Sequence, residues 1–148
     1  MPAWMLLLHL AAAIIWLGGM TLVLWAVRPT ALRVLPPPSR VPYLAEMLRR
    51  FFQLVWICIA VLLATGMHAI ARVDRSAVPG GWLAMSAIGV LMSVIFVFIY
   101  LRPFRALQRA VASEDWPAGA AALARLHPLV LTNAALGWLA IVAVRLWN

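Results

Sequence analysis

Four long apolar runs, separated by segments that hold most of the charged residues, dominate the chain. The runs cover residues 4–27, 51–71, 81–101 and 128–144. A helix of about 20 residues rises about 30 Å, the thickness of the hydrocarbon core of a bilayer, and it satisfies its own backbone hydrogen bonds there. The pattern therefore predicts an all-α integral membrane protein, a four-helix transmembrane bundle that forms one domain over residues 1–148.

The segments between the runs carry their own turn and cap signals. Residues 28–50 contain Pro29, Pro36–Pro38 and Pro42, which predict that the first helix stops and that a short extended loop follows. Residues 102–127 are long enough for two short amphipathic helices along the interface. In this second loop the motif "SEDWP" supplies an N-cap residue and a helix-starting proline.

The amino-acid composition supports the prediction of a membrane protein. Hydrophobic residues make up 66% and charged residues 11% of the 148, whereas soluble domains are about 25% charged. The net charge of +8 comes entirely from arginines that lie beside the apolar runs rather than on a polar face. This placement predicts a lipid bilayer as the partner and argues against nucleic acid.

The distribution of the arginines predicts an orientation. Nine of the twelve lie in segments 28–50 and 102–127, and the other three lie in the segment after the second run and at the C-terminus. Cytoplasmic loops carry the excess of basic residues, so we expect these two segments to be cytoplasmic loops and both termini to be outside. The expected location is a bacterial-type inner (cytoplasmic) membrane, crossed several times.

Two histidines lie at similar predicted depths near the outer side. His9 is five residues inside Trp4, about 7.5 Å along a helix, and His68 is three residues before Ala71, about 4.5 Å. The first two helices should be antiparallel neighbours, and each histidine lies on a stripe of small residues suited to close packing. His127, before Pro128 at the predicted start of the fourth helix, is expected to act as an interfacial cap on the opposite side.

Three functions fit this pair of histidines. In the first, His9 and His68 hold a b-type haem between them as a bis-imidazole redox centre that transfers electrons to a membrane or periplasmic partner. The haem propionates would then lie near Arg72 and Arg75, and Trp16 could pack on the macrocycle. An oxidoreductase activity stays open in this interpretation, although the sequence shows no paired carboxylates, nucleophile motif or phosphate loop.

In the second interpretation the same end binds copper. Cu(I) favours soft sulfur ligands together with imidazole, so the candidate ligands would be His9 and His68 with Met5, Met67 or Met85. In the third, the chain is a structural or assembly subunit whose histidines only pack. Small-residue faces would also permit a homodimer, and Asn133 with Gly137 predicts an interhelical hydrogen bond and a close contact.

Three stretches resemble a known family. "LHLAAAIIWLGG", "RRFFQLVWICIAVLLATG" and "LTNAALGWLAIVAV" resemble the first, second and last helices of the copper-resistance protein D (CopD) family. That resemblance implies a copper-handling membrane protein, which is the second interpretation. The spacing of His9, Trp16 and Gly19, with Trp82 opening the third helix, also looks like the HemJ-type protoporphyrinogen oxidases, which implies that His9 is a haem ligand.

Overall fold

The computed structural model describes residues 2–74 and 77–147, and these residues form a helical bundle without a strand. Four helices are long and apolar enough to cross a membrane. They span Ala3–Val34, Pro37–Ala71, Gly80–Ala112 and Trp116–Leu146. The predicted all-helical fold with four membrane-length helices is therefore confirmed.

Two of the four long helices contain a wider, π-helical turn. The first consists of α1 (Ala3–Leu22), a π-helical turn at Val23–Val27 and α2 (Arg28–Val34), and the second is α3 (Pro37–Ala71). The third consists of α4 (Gly80–Ile99), a π-helical turn at Tyr100–Phe104 and α5 (Arg105–Ala112), and the fourth is α6 (Trp116–Leu146). Each π-helical turn precedes or contains a proline, so the wider turn absorbs a residue that would otherwise stop the helix.

The helices extend much further than the apolar runs predict. Residues 28–50 were expected to form a loop, and residues 102–127 a loop with two short helices, but most of both segments continues the long helices. The prolines do not prevent this, because Pro37 and Pro38 occupy the first turn of α3, where the backbone N–H has no partner within the helix. Only Leu35 and Pro36 connect α2 to α3, so the predicted extended loop is reduced to two residues.

The start of the last helix confirms one motif and corrects another prediction. Asp115 accepts a hydrogen bond from the Ala118 N–H at 3.0 Å, and Pro117 follows in the first turn, as "SEDWP" predicts. However, the second amphipathic helix expected before residue 128 is the first part of α6 itself. His127 therefore lies in a helix interior and does not cap a helix start.

The long helices alternate in direction, which brings both ends of the chain to one end of the bundle. There the N–H of Gly81 donates to the carbonyl of Trp147 at 3.0 Å, and His9 of α1 contacts Thr65 of α3. We call this the termini end. The opposite end, formed by residues 28–50 and 102–127, holds most of the arginines, and we call it the arginine end.

An aromatic cluster fills the middle of the bundle. Phe96 of α4 is 2% exposed and makes edge-to-face contacts with rings from two other helices. The partners and centroid distances are Trp16 at 6.4 Å, Phe52 at 5.3 Å and Trp56 at 5.1 Å. Apolar lipid gives little hydrophobic drive for helix association, so interlocking contacts of this kind are what hold membrane helices together.

Close helix approaches surround this cluster. A Cβ at Gly19 would collide with the ring of Phe51, and a Cβ at Gly137 would meet the side chain of Leu17 at 2.9 Å. Asn133 of α6 donates from Nδ2 to the carbonyl of Met92 on α4 at 3.2 Å. The interhelical hydrogen bond and the close contact expected from Asn133 and Gly137 are both present.

The predicted orientation leads to a labelling experiment. With the arginine end inside the cell, Ala77→Cys should react with a membrane-impermeant maleimide on intact cells, and Ser113→Cys should react only after permeabilisation, because both positions are exposed at opposite ends. The native Cys58 is 4% exposed and should add little background. The reverse pattern of labelling would place the arginine end outside.

Candidate metal site at the termini end

His9 is held by a hydrogen bond between the first two long helices. Its Nδ1 atom lies 2.6 Å from Oγ1 of Thr65, which is 4% exposed. The Thr65 hydroxyl also lies 2.7 Å from the carbonyl oxygen of Val61, one turn earlier on α3. A hydroxyl has one hydrogen to donate and lone pairs to accept with. We therefore assign the Thr65 hydrogen to Val61 and the Nδ1 hydrogen of His9 to Thr65.

This assignment determines what the imidazole can do. A neutral histidine carries one hydrogen, so an Nδ1–H tautomer leaves the Nε2 lone pair free. Histidine ligands of metals commonly show this arrangement, in which one nitrogen donates to a protein oxygen and the other binds the metal. The Thr65 hydrogen bond therefore orients the ring and leaves the Nε2 lone pair available.

The ring of His9 also packs on the backbone of α3. A Cβ added at Gly66 would lie 4.0 Å from the Cε1 atom of His9, which is ordinary van der Waals contact. Met5 lies one turn before His9 and is likewise half-buried. Residues four apart lie on one helix face. Met5 and His9 therefore form a thioether and imidazole pair on the face of α1 that approaches α3.

His68 lies one turn closer to the termini end than the partner of His9. It is half-buried and follows Thr65 by three residues, so it shares the side of α3 that faces α1. Within the described residues no hydrogen bond joins His9 to His68. The sequence predicts that the two histidines lie at a similar depth. In the structure His9 contacts Thr65, so His68 lies about one turn closer to the termini end, level with Met5.

The other predicted site residues lie in different surroundings. Trp16 is 4% exposed and packs on Phe96 two helical turns deeper, so it belongs to the aromatic cluster. Arg72 is exposed at the end of α3, and Arg75 lies outside the described residues. Met67 is 67% exposed, which directs it away from the bundle, and Met85 is half-buried near the start of α4.

A porphyrin held between His9 and His68 is not supported by this geometry. The hydrogen bond from His9 to Thr65 closes α1 directly against α3, where a macrocycle would need the helices apart. Two cavities among the described residues have volumes of about 10 and 20 Å³, and neither is lined by His9 or His68. Over residues 2–74 and 77–147, no three His, Cys, Asp or Glu side chains group as metal ligands, so a site here needs thioethers as well.

His127 marks the arginine end. Its Nδ1 atom is buried and has no hydrogen-bond partner in the part of the chain that the structure describes. The residue lines the cavity of about 20 Å³ together with Arg28 and Met47. The guanidinium of Arg28 makes this cavity unfavourable for a cation. The two ends of the bundle therefore differ in chemistry, with an imidazole and a thioether on one helix face at the termini end and an imidazole beside a cation at the other.

Sequence reasoning missed the role of Thr65. The threonine lies one turn before His68 on the second helix, but the residues alone do not show that it contacts His9. The signal that could have found it is the pairing of a buried hydroxyl with an imidazole on adjacent antiparallel helices, since buried polar groups in a bilayer need partners.

One family comparison gives a match. A sequence model described as Copper resistance protein D matches residues 45–147, which is more than half of the chain. The matched range includes Thr65 and His68, whereas His9 lies before it. No curated protein and no solved structure matches the chain.

Proposed function

The chain belongs to the copper resistance protein D family, and from that premise we propose that this multi-pass membrane protein binds Cu(I) at the termini end of its bundle, with His9 as the principal ligand. The observation that carries the proposal is the 2.6 Å hydrogen bond between His9 Nδ1 and Thr65 Oγ1. It leaves the Nε2 atom of His9 unprotonated and oriented at a half-buried position, with its lone pair available. Metal binding requires such a deprotonated nitrogen.

Met5 and His68 complete the proposed ligand set. Both are half-buried and lie at the same level, one turn towards the termini from His9 and Thr65. Cu(I) is a soft ion that thioether and imidazole ligands suit. All three ligands are neutral, so the complex carries a single charge, which limits the cost of placing it near a membrane interface. Met67 is excluded from the set by its exposure.

The predicted orientation gives the site its direction. With both termini outside, the site opens towards the periplasmic side, where it would receive copper from a donor in that compartment. The termini end carries few arginines, so a cation meets less repulsion there than at the arginine end. We propose that the chain takes up copper at this face for handling in the membrane.

The role of Thr65 can be tested without touching a metal ligand. Thr65→Val keeps the volume but removes the oxygen that holds His9, so we expect Cu(I) affinity at the termini end to fall about 10–100-fold. Thr65→Ser keeps the hydroxyl and should stay close to the wild type. Anaerobic competition with a chromophoric Cu(I) chelator measures both. Equal affinities for the valine and serine variants would show that the hydrogen bond from His9 to Thr65 does not contribute to Cu(I) binding.

A further inference from the structure

Each of the four long helices carries an arginine at a similar distance from the termini end. Counting about 20 residues, or about 30 Å, along each helix from that end leads to residues 23, 51, 100 and 126. The first arginines beyond this level are Arg28, Arg50, Arg102 and Arg125. We call these four residues the arginine belt. It lies where the hydrocarbon core of a bilayer gives way to the lipid headgroups.

The bundle continues as packed helix on the far side of the arginine belt. The long helices have 31 to 35 residues, so they exceed the hydrocarbon core by about 16–22 Å, and the excess lies at the arginine end. Val41, Leu107 and Ala122 are 0% exposed there and form a small core of their own. The arginine belt is therefore held on rigid helices rather than on a loop.

The charge of the arginine belt is only partly neutralised by the protein. Among the residues that the structure describes, Arg49 and Arg50 form ion pairs, and both do so with Glu46, at Nε to Oε distances of 2.7 and 2.9 Å. Arg102 and Arg125 have no carboxylate partner within the same described residues, and both are exposed. One carboxylate cannot neutralise two guanidinium groups, so this level of the bundle attracts anions.

Exposed apolar side chains lie one turn from the belt on its membrane side. Leu54 follows Arg50 by four residues and is 50% exposed, and Phe98 precedes Arg102 by four residues and is 52% exposed. Residues four apart share a helix face. Each face thus presents a guanidinium at the headgroup level and apolar surface at the level of the acyl chains. A phospholipid has the complementary pair of groups, whereas a soluble acidic partner would use only the charge.

We propose that the arginine belt binds anionic phospholipids, with their phosphate groups on the guanidinium groups and their acyl chains along the adjoining apolar side chains. The planar guanidinium matches phosphate oxygens in bidentate hydrogen bonds. A basic residue near the membrane surface strengthens the binding of an anionic lipid about fivefold. Each lipid needs one arginine and the apolar face beside it, so the four arginines do not have to converge. This surface is separate from the copper site and does not rest on it.

Titration of the detergent-purified chain with single lipids, followed by native mass spectrometry, measures this preference. Phosphatidylglycerol and phosphatidylcholine with the same acyl chains both carry a phosphate, but only the first has a net charge. The wild-type chain should bind phosphatidylglycerol about fivefold more tightly. Arg102→Gln combined with Arg125→Gln removes two of the four belt arginines, so the preference should fall to about half. Adding Arg50→Gln should lower it further. All three positions are exposed, so circular dichroism should show an unchanged helical fold.

Arg72→Gln combined with Arg145→Gln is the matched control, because it removes the same charge from exposed positions at the termini end. This variant should keep the wild-type preference. Equal losses in the two double variants would overturn the belt as the site, since net charge alone would then decide. Equal affinities of the wild-type chain for the two lipids would overturn the preference for anionic lipid. Equally tight binding of glycerol phosphate, which lacks acyl chains, would assign the arginines to a soluble anion instead of a lipid.

Discussion

Replacing His9 with alanine is expected to weaken Cu(I) binding at the termini end by more than about 100-fold. Loss of a partner that merely orients a ligand typically costs about 10–100-fold in metal affinity, and loss of the ligand itself should exceed that. Without His9, only two of the three proposed ligands remain. These are Met5 and His68, which lie on different helices, one turn closer to the termini. Anaerobic titration against a chromophoric Cu(I) chelator measures the change in affinity.

The matched control for this prediction is His127→Ala. It removes an imidazole of similar partial burial from the same bundle, but at the arginine end. Copper binding at the termini end should be unchanged in this variant. If His9→Ala and His127→Ala weakened copper binding equally, the loss would reflect a general effect on the bundle, and His9 would not be the principal ligand.

Replacing Phe96 with alanine is expected to cause the largest loss of stability, about 3 kcal/mol. The ring is 2% exposed and touches aromatic rings of α1 and α3, so its removal opens a void between three helices. The value is at the lower end of the range for phenylalanine in soluble cores. A separated helix still buries its apolar groups in lipid or detergent, so chiefly the packing is lost.

Phe98 provides the comparison on the same helix. It is 52% exposed on the outer surface of the bundle, so Phe98→Ala should change the free energy of unfolding by less than about 1 kcal/mol. Unfolding of the two variants in the same detergent, followed by circular dichroism against denaturant, gives both values. Equal losses for Phe96→Ala and Phe98→Ala would mean that the aromatic cluster does not hold the bundle together.

The number and type of the helices follow directly from the sequence, but their ends do not. Long apolar runs have one stable solution in a bilayer, so residues such as Trp4 and Ala71 mark spans without further information. Helix ends beyond the apolar region depend on local turns. Pro37 starts a helix because it falls in a first turn, and Pro103 is accommodated in a π-helical turn, which no hydropathy pattern reveals.

The candidate site was predictable as a pair of helix faces but not as a set of contacts. A histidine in an apolar helix signals a function because its burial is costly, and this singles out His9. The contact between His9 and Thr65 depends on the register of α1 against α3, and one helical turn decides whether His9 meets Thr65 or His68. Helix rise gives depth only to within about a turn of 5.4 Å, so the sequence could not make that choice.

The sequence alone does not predict the cavity lined by Met20 and Asn133. The sequence predicts an interhelical hydrogen bond for Asn133, and the structure contains it. Which of the two amide atoms is used, and what surrounds the other, depends on side chains from α1, α3, α4 and α6 that meet only in the folded bundle.

The metal and haem content of one preparation of the wild-type chain tests the central claim most directly. The protein should be expressed with ample copper and haem, purified in detergent under anaerobic conditions, and measured for copper by atomic emission and for haem by its reduced absorption spectrum. We predict stoichiometric Cu(I) and no Soret band. A sharp Soret band at one haem per chain, with no retained copper, would contradict copper binding at His9 and restore the haem interpretation.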